Sequence, residues 1–197
     1  MADGATPTPD QITGLVLAGG QGSRLGGIDK GLQDWNGEPL ARRAAGRLAP
    51  QVSQVMLSAN RHLDRYRAWG LPVWPDPPEL AGYQGPLAGV LAGIRHCPTP
   101  WMVVVPCDCP HFPLDLVARL AQALQPDTEI AMARTAAGPE PAFCLVRREV
   151  EASLARQLQA GVRKVERWAS TLRCVGVTFD EAAAFFNINT PDDLARG

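Results

Sequence analysis

The sequence predicts a three-layer α/β domain built on a mostly parallel sheet. Two observations carry this expectation. Apolar runs of strand length alternate with segments of helical period, so that a strand-loop-helix order repeats along the chain. Those runs are continuously apolar, as suits strands covered on both faces.

The first strand is Ile12 to Ala18, which runs into Gly19-Gly20. Val55 to Ala59, Leu71 to Trp74 and Trp101 to Val105 follow it, and Ala142 to Val146 and Cys174 to Phe179 are extended further on. Between them, Leu87, Val90, Leu91 and Ile94 fall at i, i+3, i+4 and i+7 behind Pro86, a residue favoured in a first helical turn. Val117, Leu120, Ala121 and Leu124 repeat the pattern after Pro113, and Val150, Leu154 and Leu158 mark a third helix. Gly161 to Thr171 is amphipathic and helical, with Arg163, Lys164 and Arg167 read as a solvated face. Thr190-Pro191-Asp192-Asp193 supplies an N-cap, a proline at N1 and an acid at N3, opening a last helix. Residues 1–10 are expected to form a short disordered tail, leaving 11–197 as one domain.

Composition narrows the function classes. With 197 residues, 46% of them apolar, the chain buries a proper core without disulfide or metal staples. A net charge of -1 with scattered Lys and Arg offers no basic stripe for nucleic acid. Five cysteines, an odd number without zinc-site spacing, read as reduced core thiols. The N-terminus lacks the basic start and apolar stretch of a signal peptide, and no run is long enough to span a bilayer. A soluble cytoplasmic protein is expected. His62, His96 and His111 lack ligand spacing, and the five tryptophans are read as packing residues.

The strongest signal follows the first strand: Leu17-Ala18-Gly19-Gly20-Gln21-Gly22-Ser23-Arg24-Leu25-Gly26-Gly27-Ile28-Asp29-Lys30. Its glycines let the backbone approach a ligand closely, and successive N–H groups in such a loop form an anion-binding concavity. Arg24 and Lys30 add positive charge, so the loop is built for phosphate. It is not a Walker loop, since no Gly-Lys-Ser/Thr occurs, and Leu25 stands where a dinucleotide fingerprint needs glycine. Asp108, in Pro106-Cys107-Asp108-Cys109-Pro110, follows a buried strand and so reaches the same carboxyl edge of the sheet. It is the expected Mg2+ ligand, because Mg2+ on a nucleotide needs only one or two carboxylates beside phosphate oxygens and water. Asn60 ends the second strand and places an amide at the same sheet edge, with helix capping as its alternative. Asp76 ends the third strand, with a plain turn as its alternative. Gly85 opens a glycine-bracketed helix start able to approach an anion. Asn187 and Asn189, at alternate positions of an extended segment, point the same way.

The loop resembles the signature of the NTP-transferase family, sugar-nucleotide pyrophosphorylases included. Its Gly-Gly-x-Asp-Lys-Gly ending is similar to the molybdenum cofactor guanylyltransferases (the MobA group). The likeness spans positions 12 to 195, with six matching segments in the same order. It implies a Rossmann-like fold of the nucleotide-diphospho-sugar transferase type. It also implies GTP and molybdopterin (or Mo-molybdopterin) as substrates, with GMP passing to the terminal phosphate and pyrophosphate leaving. By that resemblance Leu17, Ala18, Gly19, Gly20, Gly22, Lys30, Asn60, Asp76, Gly85 and Asp108 bind nucleotide, and Asn187 and Asn189 lie on the acceptor side. Arg24, Lys30 and Asp108 are the expected catalytic residues. Cys109 stands where relatives often carry Thr, which leaves the carboxylate in place. The expected state is a monomer with transient contacts to molybdenum-insertion proteins, molybdoenzymes or their chaperones. Two alternatives stay open: a related transferase using CTP or a sugar-phosphate or cobinamide acceptor, and a non-catalytic GTP-binding adaptor.

Overall fold

The computed structural model describes residues 6–20, 28–80, 85–190 and 193. Seven strands form the main sheet: β1 (Ile12–Leu17), β4 (Gln54–Ser58), β5 (Val73–Trp74), β6 (Trp101–Pro106), β7 (Ile130–Thr135), β8 (Gly138–Arg147) and β9 (Cys174–Thr178). Their order is β5-β4-β1-β6-β8-β7-β9. Every neighbouring pair that omits β8 is parallel, and β8 alone runs against both its neighbours. The expected α/β fold with a mostly parallel sheet is the one observed.

The reversed strand has a local cause. Only residues 136 and 137 separate β7 from β8, and Thr135 pairs with Gly138 across the turn. A connection that short permits only antiparallel pairing. The sequence reading placed a strand at 142–146 but none at 130–135, because Ile-Ala-Met-Ala-Arg-Thr dilutes β-formers with alanine.

The period of two along the central strands sorts side chains into two cores. Ile12 and Val16 of β1, with Trp101, Val103 and Val105 of β6, face α1 (Leu40–Leu48), α2 (Leu63–Arg67) and α4 (Leu116–Gln122). Leu15, Met102 and Val104 face α3 (Pro86–His96), α5 (Glu151–Gln159) and α6 (Val165–Ala169). Three layers result. Helix α1 is absent from the sequence reading, although it buries Leu40, Ala41, Ala44, Ala45 and Leu48 along one face. Its stripe is mostly alanine, whose small apolar area gives a weak periodic signal. The two-residue strands β2 (Asp34–Trp35) and β3 (Glu38–Pro39) were likewise missed. They are joined by Asn36 and Gly37, both at positive φ, as a tight hairpin turn of Asn-Gly type requires.

Part of the expected tail is ordered. Pro7 is buried, and Thr8 N–H donates to Gln11 Oε1 at 3.2 Å across a 3-10 turn spanning Pro9–Gln11. All five cysteines are free thiols, four of them buried. Among the described residues no helix is long and apolar enough to cross a membrane.

Candidate active site

Strand β1 continues to β4 and β5 on one side, and the chain then crosses to β6 on the other. Leu17 therefore pairs with Ser58 on one side and Pro106 on the other, and the sheet opens at their carboxyl ends. Ligands of open α/β sheets bind at such a switch point. The cleft there is lined by Leu17, Ala18, Gly19, Gly20, Lys30, Ser58, Asn60, Asp76, Gly85, Pro86, Gly89, Pro106, Cys107, Asp108 and Ala142.

One cluster centres on Lys30. Its Nζ donates to Asp108 Oδ2 at 2.6 Å and to Asn189 Oδ1 at 2.7 Å, drawing together residues far apart in sequence. Lys30 and Asp108 expose only 17% and 19% of their side chains, so water screens the pair weakly. The segment carrying Asn189 is held by Ile188, whose N–H donates to the Asp108 carbonyl at 2.8 Å. Ile188 is buried with Trp35 and Leu40. Its inward position leaves the flanking Asn187 and Asn189 on the opposite side. Asn187 Oδ1 receives the Cys109 thiol at 2.6 Å. Asp193 Oδ2 accepts from the N–H groups of Asn189 and Thr190, and Asp193 N–H returns to Thr190 Oγ1 at 3.1 Å, a reciprocal cap.

The second cluster sits at the ends of β4 and β5. Asn60 Nδ2 donates to Asp76 Oδ2 at 2.9 Å, and Asp76 N–H donates to Asn60 Oδ1 at 2.8 Å. This two-way bond disposes of the capping alternative for Asn60. The residue before α2 is His62, which makes no side-chain cap bond. Burial raises the Asp76 pKa above the ordinary carboxylate value, and the bond from Asn60 offsets only part of that. Gly85 adopts φ 71° immediately before α3, and a Cβ there would lie 3.2 Å from the Arg163 carbonyl. Both conditions demand glycine.

Burial and the neighbouring Asp108 push the Cys107 and Cys109 thiols up, so both stay protonated and neither is a nucleophile at neutral pH. Among the described residues no group of three or more His, Cys, Asp or Glu side chains is arranged to hold a metal. A cation at Asp108 would thus rely chiefly on ligands that the nucleotide supplies.

The structure brings Leu17, Ala18, Gly19, Gly20, Lys30, Asn60, Asp76, Gly85 and Asp108 around one cleft. Gly22 and Arg24 lie outside the described residues. Sequence reasoning missed three residues beside the cleft. Arg61 Nη2 donates to the Gly20 carbonyl at 3.1 Å, and Tyr66 donates to Asp29 at 2.6 Å. Ala142, on the lone antiparallel strand, also lines it. A tyrosine three residues after a helix start, at helical spacing between the apolar Leu63 and Trp69, was the available signal.

Comparison with known proteins finds relatives over most of the chain. A family model described as the MobA-like NTP transferase domain matches residues 14–174. A molybdenum cofactor guanylyltransferase of Bordetella petrii is 53% identical over 190 residues, covering 94% of this chain and 96% of its own length. Another, of Methylibium petroleiphilum, is 52% identical over 197 residues, covering 95% of each chain. The solved structure of a molybdopterin-guanine dinucleotide biosynthesis protein A from Archaeoglobus fulgidus aligns with a TM-score of 0.74 at 23% identity. It covers 93% of this chain and 95% of that one.

Proposed function

The chain belongs to the MobA-like NTP transferase family, and from that premise we propose that it transfers GMP from GTP to the terminal phosphate of molybdopterin. An oxygen of the acceptor phosphate forms a bond to the α-phosphorus of GTP, while the bond from that phosphorus to the bridging oxygen breaks and pyrophosphate departs. The acceptor is already ionised, so no protein nucleophile is needed. The work left to the protein is alignment and stabilisation of charge.

The observation that carries this reading is the single ammonium of Lys30 shared between Asp108 and Asn189. It joins the end of the glycine-rich segment, the carboxylate and the acceptor-side strap at one point. Lys30 neutralises phosphate charge as pyrophosphate forms, with Arg24 as a second cation. The backbone of Leu17, Ala18, Gly19, Gly20 and Gly22 offers N–H groups to the nucleotide. Asp76, steadied by Asn60, accepts hydrogen bonds from the ring N–H and amino group of guanine, and Gly85 lets the base edge approach the start of α3. Asn187 and Asn189 meet the acceptor.

The donor set suits Mg2+: Asp108 offers a hard oxygen at the cleft, and Lys30 already occupies its Oδ2. The metal would supply Lewis-acid stabilisation of the α-phosphate. Residues 11–197 act as one nucleotidyltransferase domain, a cytoplasmic monomer with transient contacts to molybdenum-insertion proteins or molybdoenzymes and their chaperones.

Thermal stabilisation by GTP, ATP, CTP and UTP with Mg2+ tests the substrate. A nucleotide at 100 times its dissociation constant adds about 2.7 kcal/mol. Selective stabilisation by GTP, followed by GMP transfer to molybdopterin, is the expected result. A preference for CTP would overturn the guanine assignment and keep the site.

A further inference from the structure

Lys30 sits between two residues that touch one phenol. Tyr66 is fully buried on α2, and its hydroxyl donates to Asp29 Oδ1 at 2.6 Å. Asp29 is itself only 7% exposed, and its carbonyl accepts from Leu32 N–H at 3.2 Å and Gln33 Nε2 at 3.3 Å. On the other side, the Gly31 backbone lies so close that a Cβ there would collide with the Tyr66 hydroxyl. That Cβ would also meet the methyl groups of Ala18 and Ala41 at 3.1 Å. Trp69 holds the Tyr66 ring edge-on, with centroids 5.1 Å apart. Both neighbours of Lys30 are therefore seated on one rigid side chain, while the ammonium reaches Asp108 and Asn189. The segment leading into α2 adds a second strut, since Arg61 bonds the Gly20 carbonyl. His62, in the left-handed conformation at φ 49°, turns the chain between Arg61 and Tyr66.

We propose that Tyr66 is a positioning residue for the transfer step, acting through Asp29 to set where the Lys30 ammonium meets the phosphates of the nucleotide. This rests on the reading of Lys30 as the phosphate-binding cation. A charge-stabilising group must be held to a fraction of an ångström, and a displacement of about 1 Å costs about 10²-fold in rate. The flexible four-carbon stem of a lysine cannot supply that precision alone. A buried tyrosine bonded to the residue before it and packed against the turn after it can. Burial, and then the bond to Asp29, push the Tyr66 pKa upward, so the phenol remains a donor throughout the working pH range.

The test is a cycle of four proteins: unmodified, Tyr66→Phe, Lys30→Ala and the double variant. Each is assayed for GMP transfer and for GTP affinity with Mg2+, with melting temperature followed alongside. Tyr66→Phe should lower kcat about tenfold and leave the acceptor KM unchanged. The double variant should be no slower than Lys30→Ala alone, since residues acting as one unit are not additive. Losses that multiply in the double variant, or a normal kcat for Tyr66→Phe, overturn the proposal. A second pair guards against a misfolded phenylalanine variant: Asp29→Asn keeps an acceptor for the phenol and should retain most turnover, whereas Asp29→Ala should not. Equal activities of that pair also overturn it. If the unmodified protein binds GTP yet transfers no GMP, the guanylyl-transfer reading fails by itself. The same cycle, read in GTP affinity, then still decides the role of Tyr66.

Discussion

Two carboxylates face one cleft, and their partners differ in kind. Asp108 is paired with an ammonium at 2.6 Å, whereas Asp76 is paired with a neutral amide at 2.9 Å. Burial raises the Asp76 pKa, and the hydrogen bond from the neutral Asn60 amide offsets only part of that rise. The difference separates two tasks within 32 residues of sequence. The charged pair is suited to the phosphates and acceptor of the proposed transfer. The amide-bonded carboxylate offers a fixed hydrogen-bond acceptor suited to reading a base.

Substitutions can break this contrast, the largest effect first. Asp108→Asn should lower GMP transfer by about 10³-fold, because it removes the charge but keeps the shape. The melting temperature should move by only about 2–4 °C, the shift for a loss of about 1 kcal/mol in a domain of this size. A collapse of the melting temperature would make Asp108 a structural residue. Lys30→Ala should cost about 10²–10³-fold in kcat, the usual penalty for losing one preorganised donor. Near-normal turnover of that variant would remove the phosphate role.

Asp76→Asn should act on discrimination instead of rate. Affinity for GTP should fall about 10- to 100-fold, the worth of hydrogen bonds to a charged group, while weak binding of other nucleotides changes little. An equal loss across all four nucleotides would contradict base reading. The raised pKa adds a pH signature with a definite sign. The folded state holds the Asp76 proton at pH values where the unfolded chain, near 3.8, has released it. Stability contributed by this group therefore falls as pH rises from 3.8 through the raised value. Over the same window the carboxylate ionises and GTP affinity should climb. The acid limb of GTP binding, followed between about pH 4 and pH 7, should lie above 3.8 and vanish in Asp76→Asn. The smallest effect is expected at Asn187→Ala, which should raise the acceptor KM about 3- to 10-fold and leave the GTP KM unchanged.

Some features of the site were plain from the chain alone. Gly19-Gly20 after an apolar run, and Asp108 after another, point to a cleft at the carboxyl edge of a parallel sheet, because strand ends and glycine loops are local properties. The pairing of Thr190 with Asp193 was also readable, since the two stand three positions apart. Helix α1 and strand β7 were not, as alanine-rich segments are committed by what they pack against.

What the sequence by itself determined is the class of chemistry and the layering, through residue types at short spacing: glycines for backbone approach, cations for phosphate, apolar periods for two cores. Tertiary structure alone decided the partnerships. Lys30 meets Asn189 across 159 residues, Asp29 meets Tyr66 across 37, and β8 inserts between β6 and β7 in the sheet. Such contacts depend on the order in which strands assemble in the sheet. No local spacing encodes that order, because it follows from burying both faces of the central strands at once.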